Sequence, residues 1–153
     1  MTELIAQGEG HKLEFKETLE WCVKDKKRAK HLNKECLKTI AAFLNADGGT
    51  LLIGVSDSGE IKGLEEDLQF APRKNLDGFE LKLRSLMDSN FDPKPTGKIK
   101  IKFEEFTEEA VCKIDVSRSK QVIHFDNDVF VRDGNRTSKL KGRHLTDWLR
   151  ERK

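Results

Sequence analysis

The sequence predicts an α+β domain, a mixed β-sheet with two main helices packed on it, and three observations carry that prediction. Leu32, Cys36, Leu37, Ile40, Ala41 and Leu44 recur at helical spacing, and so do Phe79, Leu83, Leu86 and Met87. Ile99, Ile101 and Phe103 alternate with lysines, and Ala110, Cys112, Ile114 and Val116 continue the period of two, as a strand pair requires. Thr50–Val55 is a short apolar run with one glycine between two turn signals, which suits a strand buried on both faces. Helices and strands that segregate in this way belong to layered α+β folds.

Taken in order, Thr2–Gln7 is a helical turn broken at Glu9-Gly10. Lys12–Lys16 reads as a strand, with Leu13 and Phe15 on one face and Glu14 and Lys16 on the other. Residues 17–24 show no clear period. The long helix is expected from about Asp25 to Asn45, with its lysines opposite the apolar stripe. Gly48-Gly49 stops it, because glycine accepts the left-handed backbone of a helix C-terminus. After Thr50–Val55, Asp57-Ser58-Gly59 turns the chain and Glu60–Leu64 is expected to return as a strand. Glu65–Lys74 reads as a loop. Asp77 with Glu80 resembles a capping box opening a second helix to about Ser89, and Phe91–Pro95 ends it. Gly97–Glu105 and Ala110–Val116 form a hairpin across Phe106–Glu109, and Val122–Phe125 pairs with Val129–Arg132 across Asp126-Asn127. Leu145, Trp148 and Leu149 mark a short last helix over Leu145–Arg152. No repeat, linker or low-complexity segment divides the chain, so residues 1–153 are expected to form one domain.

With 37% charged and 36% hydrophobic residues, the composition is that of a folded domain with a heavily charged surface. No run of 18 apolar residues suggests a membrane span, and no basic-then-apolar start suggests export. Cys22, Cys36 and Cys112 lack paired zinc spacing and read as free thiols in a reducing cytoplasm. Net charge is only +2, but it is unevenly spread. Lys24–Lys38 holds seven Lys or Arg against Asp25 and Glu35, and Arg132–Lys153 holds eight against Asp133, Asp147 and Glu151. Asp57–Asp92 holds nine acids against five bases. Such runs suit either a basic binding surface or simply a solvated one.

Glu9, Glu14 and Asp57 are the sharpest candidates for chemistry. If the first strand pairs near the central one, they converge at one sheet end and offer oxygen ligands to a hard divalent cation. Asp57-Ser58-Gly59 is equally a good turn. His11 is either a general acid or an exposed residue at a strand start; His31, His124 and His144 are scattered. P-loop and GxGxxG patterns are absent. Arg132-Asp-Gly134-Asn-Arg136-Thr137 offers guanidinium forks, an open backbone and a hydroxyl to phosphate, or else is a plain loop after an edge strand. Lys98, Lys100 and Lys102 either track a nucleic-acid backbone or protect a sheet edge. Lys26, Lys27, Arg28 and Lys30 carry the same two readings. With no Tyr, most Phe at core-facing positions, and only Trp21 and Trp148 as large candidates, of which Trp148 reads rather as core or interface, backbone recognition is favoured over base stacking.

Three phrases occur in a fixed order: Glu9-Gly-His-Lys-Leu-Glu14-Phe-Lys16, the stretch Lys38–Leu64, and Val129-Phe-Val-Arg132-Asp-Gly134-Asn-Arg136-Thr137. Together they resemble the AlbA-like domain of Schlafen-family and related bacterial proteins. The resemblance implies one lobe of a Schlafen core. It implies nucleic-acid binding, RNA favoured and DNA possible, with metal-dependent endoribonuclease potential on structured RNA such as tRNA. Glu9, Glu14 and Asp57 would then be the catalytic and metal-holding residues, with Mg²⁺ or Mn²⁺. Lys16, Arg132, Arg136, Thr137 and Lys139 would contact the nucleic acid. Related phrases also occur in non-catalytic DNA- or RNA-binding modules and in domains described as ATP-binding, and these remain the alternatives. Because Schlafen cores resemble two lobes facing each other, the resemblance also implies a homodimer.

Overall fold

The computed structural model describes residues 1–152. Its helices are α1 (Thr2–Gln7), α2 (Leu32–Asn45), α3 (Glu65–Leu68), α4 (Leu76–Asn90) and α5 (Gly142–Glu151). Its strands are β1 (Leu13–Lys16), β2 (Trp21–Cys22), β3 (Lys27–Arg28), β4 (Gly49–Ile53), β5 (Phe91–Asp92), β6 (Ile99–Glu105), β7 (Ala110–Val116), β8 (His124–Phe125), β9 (Asp128–Asp133) and β10 (Arg136–Leu140). One four-stranded sheet runs β1-β4-β7-β6 and a second runs β10-β9-β8-β5. The first sheet is mixed: β1 lies parallel to β4, with Leu13 opposite Thr50 and Lys16 opposite Ile53, and the other pairs are antiparallel.

Helix α2 lies between the sheets, against β9 on one side and β4 on the other. Every residue from Thr39 to Asn45 is buried, as expected of a helix covered all round rather than along one stripe. Leu51, Ile53, Cys112 and Ile114 meet it from the first sheet, and Phe79, Leu83 and Met87 of α4 complete the main core. The opposite face of that sheet carries Leu13, Phe15, Leu52, Val55 and Val111, covered by Leu4 and Ile5 of α1. The apolar run in β4 is therefore buried on both faces, as its lack of alternation predicts. Gly48 and Gly49 end α2 for steric reasons. Gly48 has a φ of +78°, and a Cβ on Gly49 would stand 2.6 Å from the Phe43 ring.

Several expectations are corrected. Helix α2 begins at Leu32, not Asp25, because residues 21–28 form the β2–β3 hairpin. That hairpin is anchored by buried Glu20, whose carboxylate pairs with Arg28 at 2.8 Å and with Lys82 of α4. The return after the Asp57 turn is a single bridge, Val55 to Ile61, rather than a strand. Residues 65–74 are a short helix and a 3-10 turn instead of a loop. Asn75, not Asp77, caps α4: its side chain accepts from Gly78 N–H at 2.8 Å, while Glu80 pairs with Arg84. Asn75→Ala should cost about 1 kcal/mol of stability, read as a lower urea midpoint at unchanged m-value. All three cysteines are free; Cys36 and Cys112 are buried, and burial pushes the Cys36 thiol up to about 12. Among the described residues, no helix is long and apolar enough to cross a membrane.

Candidate nucleic-acid interface

The alternation of β1 sets the site. Leu13 and Phe15 enter the small core under α1, so Glu14 and Lys16 turn to the α2 side of the sheet. There Glu14 Oε1 lies 2.8 Å from Arg132 Nη1, and Lys16 Nζ lies 3.8 Å from Glu14 Oε2. Arg132 comes from the middle of the second sheet, and only 1% of its side chain is exposed. Its Nη1 also donates to Thr137 Oγ1 at 3.2 Å, and its Nη2 donates to the carbonyls of Gly10 (2.7 Å) and Leu13 (3.2 Å). The guanidinium stands 5.1 Å from the Phe43 ring centre. Arg132 therefore pins β9 to the start of β1 and holds Glu14 in place. The segment that carries it is no loop after an edge strand: β9 lies between β8 and β10, and Arg132 pairs with Thr137 across the β9–β10 hairpin.

Glu9 reaches the same point from the chain reversal at Gly10–Leu13. Its carboxylate accepts from the N–H of Phe15, the residue after Glu14, at 3.1 Å. Burial, then the neighbouring Glu14 carboxylate, push the Glu9 carboxyl up to about 7, against the opposing pull of Phe15 N–H and Lys16. A carboxyl with a raised folded-state pKa stabilises the fold in its protonated form. That contribution is complete below about 4.5 and is lost as pH rises towards and through 7. The melting temperature of the wild type should therefore fall relative to Glu9→Gln across this window; parallel pH profiles for the two proteins would contradict the assignment.

Asp57 stands apart. It is exposed in the turn after β4, and among the described residues no three Asp, Glu, His or Cys side chains are grouped to hold a metal ion. The structure brings Glu9 and Glu14 together without it. His11 bonds Asp47 at 2.7 Å on the surface. Arg136 pairs with Asp133 at 2.8 Å and Lys139 with Asp128 at 3.2 Å, both in exposed positions.

Between α2 and the β9–β10 hairpin runs a cleft of about 740 Å³. Glu14, Lys16, Arg136, Thr137 and Lys139 line it, together with Lys34, Lys38 and Asn135, which the sequence does not single out. A partial signal is there. Lys34 and Lys38 stand four apart, one turn of α2, on the face away from the apolar stripe.

A family model described as Schlafen, AlbA_2 matches residues 9–141. The chain belongs to the Schlafen AlbA_2 family. The match begins at Glu9 and takes in every residue placed in the cleft. The fold of this Schlafen AlbA_2 domain is similar to that of the DIP2311 protein from Corynebacterium diphtheriae, with a TM-score of 0.62 at 16% identity. That similarity covers 93% of this chain and 24% of the other, so the chain spans about a quarter of that protein's length. The N-terminal domain of a putative ATP-dependent DNA helicase RecG-related protein from Nitrosomonas europaea aligns with a TM-score of 0.49 at 20% identity, covering 76% of this chain and 72% of that one. Among curated proteins there is no match.

Proposed function

We propose that this Schlafen AlbA_2 domain binds nucleic acid, RNA in preference, by its phosphate backbone in the cleft between α2 and the β9–β10 hairpin. The supporting observation is the convergence of cations from three elements: Lys16 from β1, Lys34 and Lys38 from α2, and Arg136 and Lys139 from β10. Four acids share the cleft wall with them, Glu14, Glu35, Asp126 and Asp128; Glu14 is balanced from behind by buried Arg132. The remaining pairs, Lys38–Glu35, Arg136–Asp133 and Lys139–Asp128, are exposed, where an ion pair contributes at most about 1 kcal/mol and yields readily to phosphate. Phe125 and Phe130 lie in the cleft wall but are themselves buried, which favours backbone over base recognition. A gel shift on a tRNA pool should weaken steeply with salt, because each phosphate contact releases counterions. Salt-insensitive binding would remove the reading.

The Glu9–Glu14 pair favours a second step, metal-dependent phosphodiester cleavage. Two carboxylates this close resist ionising together, and a divalent cation relieves that repulsion, so the pair suits Mg²⁺ or Mn²⁺ as a partial donor set. Asp57 would complete the set only by moving in from its turn. A bound cation would supply positive charge to the phosphate and acidify a water. Glu14→Gln should abolish cleavage of the tRNA pool in Mn²⁺ while leaving the gel shift intact, with EDTA abolishing it equally. Undiminished cleavage by the variant would sink the catalytic role.

A further inference from the structure

The far face of the first sheet holds a second concentration of charge. β6 is its edge strand, and residues two apart on one face lie about 6.8 Å from each other. Ile99, Ile101 and Phe103 pack towards the core, which leaves Lys98, Lys100 and Lys102 in a row on the other side. On that face Glu104, two residues beyond Lys102, pairs with the Met1 amino group at 3.8 Å, and Asp115 stands opposite Lys100. Its carboxylate is already engaged by Thr50 Oγ1 at 2.8 Å and Lys113 Nζ at 3.6 Å. Among the described residues none of the three lysines of the row makes an ion pair. With Lys12 they line a cleft of about 980 Å³.

Glu9 also lines this outer cleft, whereas Glu14 lines the inner one. The Glu9 carboxylate accepts from the N–H of Phe15, the residue that follows Glu14. The clefts therefore meet at the carboxylate pair, where the chain rounds the β1 edge of the sheet. We propose that the outer cleft is a second phosphate-tracking segment of one nucleic-acid path. In it, Lys12, Lys98, Lys100 and Lys102 hold the backbone on one side of the Glu9–Glu14 pair, and the inner cleft holds it on the other. The proposal rests on the nucleic-acid reading above and extends it to a strand long enough to occupy both clefts. Lysines on an edge strand also deter pairing with foreign strands, and the experiment separates the two roles.

Fluorescein-labelled single-stranded RNA is titrated by anisotropy over a salt series. Wild type is compared with Lys98→Gln/Lys100→Gln/Lys102→Gln and with Lys34→Gln/Lys38→Gln. The outer triple variant should flatten the slope of log K against log salt by about 2, since each single-strand phosphate contact contributes roughly 0.7. Lys100→Glu alone should weaken binding more than Lys100→Gln, and it carries the test if the triple variant melts early. If the inner variant weakens binding and the outer one leaves slope and affinity unchanged, the outer path is overturned and the inner reading stands. An unchanged slope together with larger species in light scattering assigns the row to edge protection. If the wild type binds no RNA, both readings fall.

Discussion

Arg132→Leu is expected to lower the unfolding free energy by about 3–5 kcal/mol, the usual effect of removing one partner of a buried ion pair. For a chain of this length that corresponds to a drop of roughly 10 °C in melting temperature. The loss is large because one guanidinium serves four acceptors: Glu14, Thr137 and the carbonyls of Gly10 and Leu13. Leucine fills part of the space against Phe43 but strands the Glu14 carboxylate and leaves each of the two carbonyls with only its backbone donor. Arg132→Lys would keep the charge without the fork that reaches two strands at once. Pairing Arg132→Leu with Glu14→Leu should recover part of the loss, since the stranded charge goes too. A double variant no more stable than Arg132→Leu would show that the carboxylate is not what the arginine supports.

The second large effect is expected at Asn45, the last residue of α2. Its Nδ2 donates to the carbonyls of Ile123 and Phe130, each at 2.9 Å, and its Oδ1 accepts from Ile123 N–H at 2.8 Å. One side chain thus joins the helix end to β9 and to the segment before β8. Asn45→Leu is of similar volume but orphans three buried backbone groups. At about 1–3 kcal/mol for each unsatisfied group, less than additive because the segment relaxes, the expected loss is about 3–5 kcal/mol. Urea denaturation measures the total. Amide hydrogen exchange at Ile123 should also become fast relative to neighbouring strands, whereas a uniform loss of protection would place the damage elsewhere.

Both positions show what the sequence reveals and what it withholds. Asn45 is visible as the end of a helix, because the apolar stripe stops there and Gly48-Gly49 follows. Its three bonds span residues 78 and 85 positions away, and no local pattern records them. Arg132 reads in sequence as an open phosphate fork. It is buried because Arg136–Leu140 forms β10 beside it, a strand with one apolar residue, made by pairing rather than by alternation. The lysine-rich start of the expected long helix has good helix propensity. Tertiary pairing of Arg28 and Lys82 with buried Glu20 draws residues 21–28 into a hairpin instead. Glu9 and Glu14 stand out together in the sequence, and they meet because the chain folds back at Gly10–Leu13. Asp57 is grouped with them because it follows the neighbouring strand. Its turn carries it outward, and strand adjacency does not fix where a turn points.

The proposed binding of nucleic acid in the cleft between α2 and the β9–β10 hairpin is tested by an NMR titration of ¹⁵N-labelled protein with a short RNA hairpin. The amides of Lys34, Lys38, Asn135, Thr137 and Lys139 should shift progressively and saturate together. Binding that moves other signals and leaves these five in place would contradict the claim.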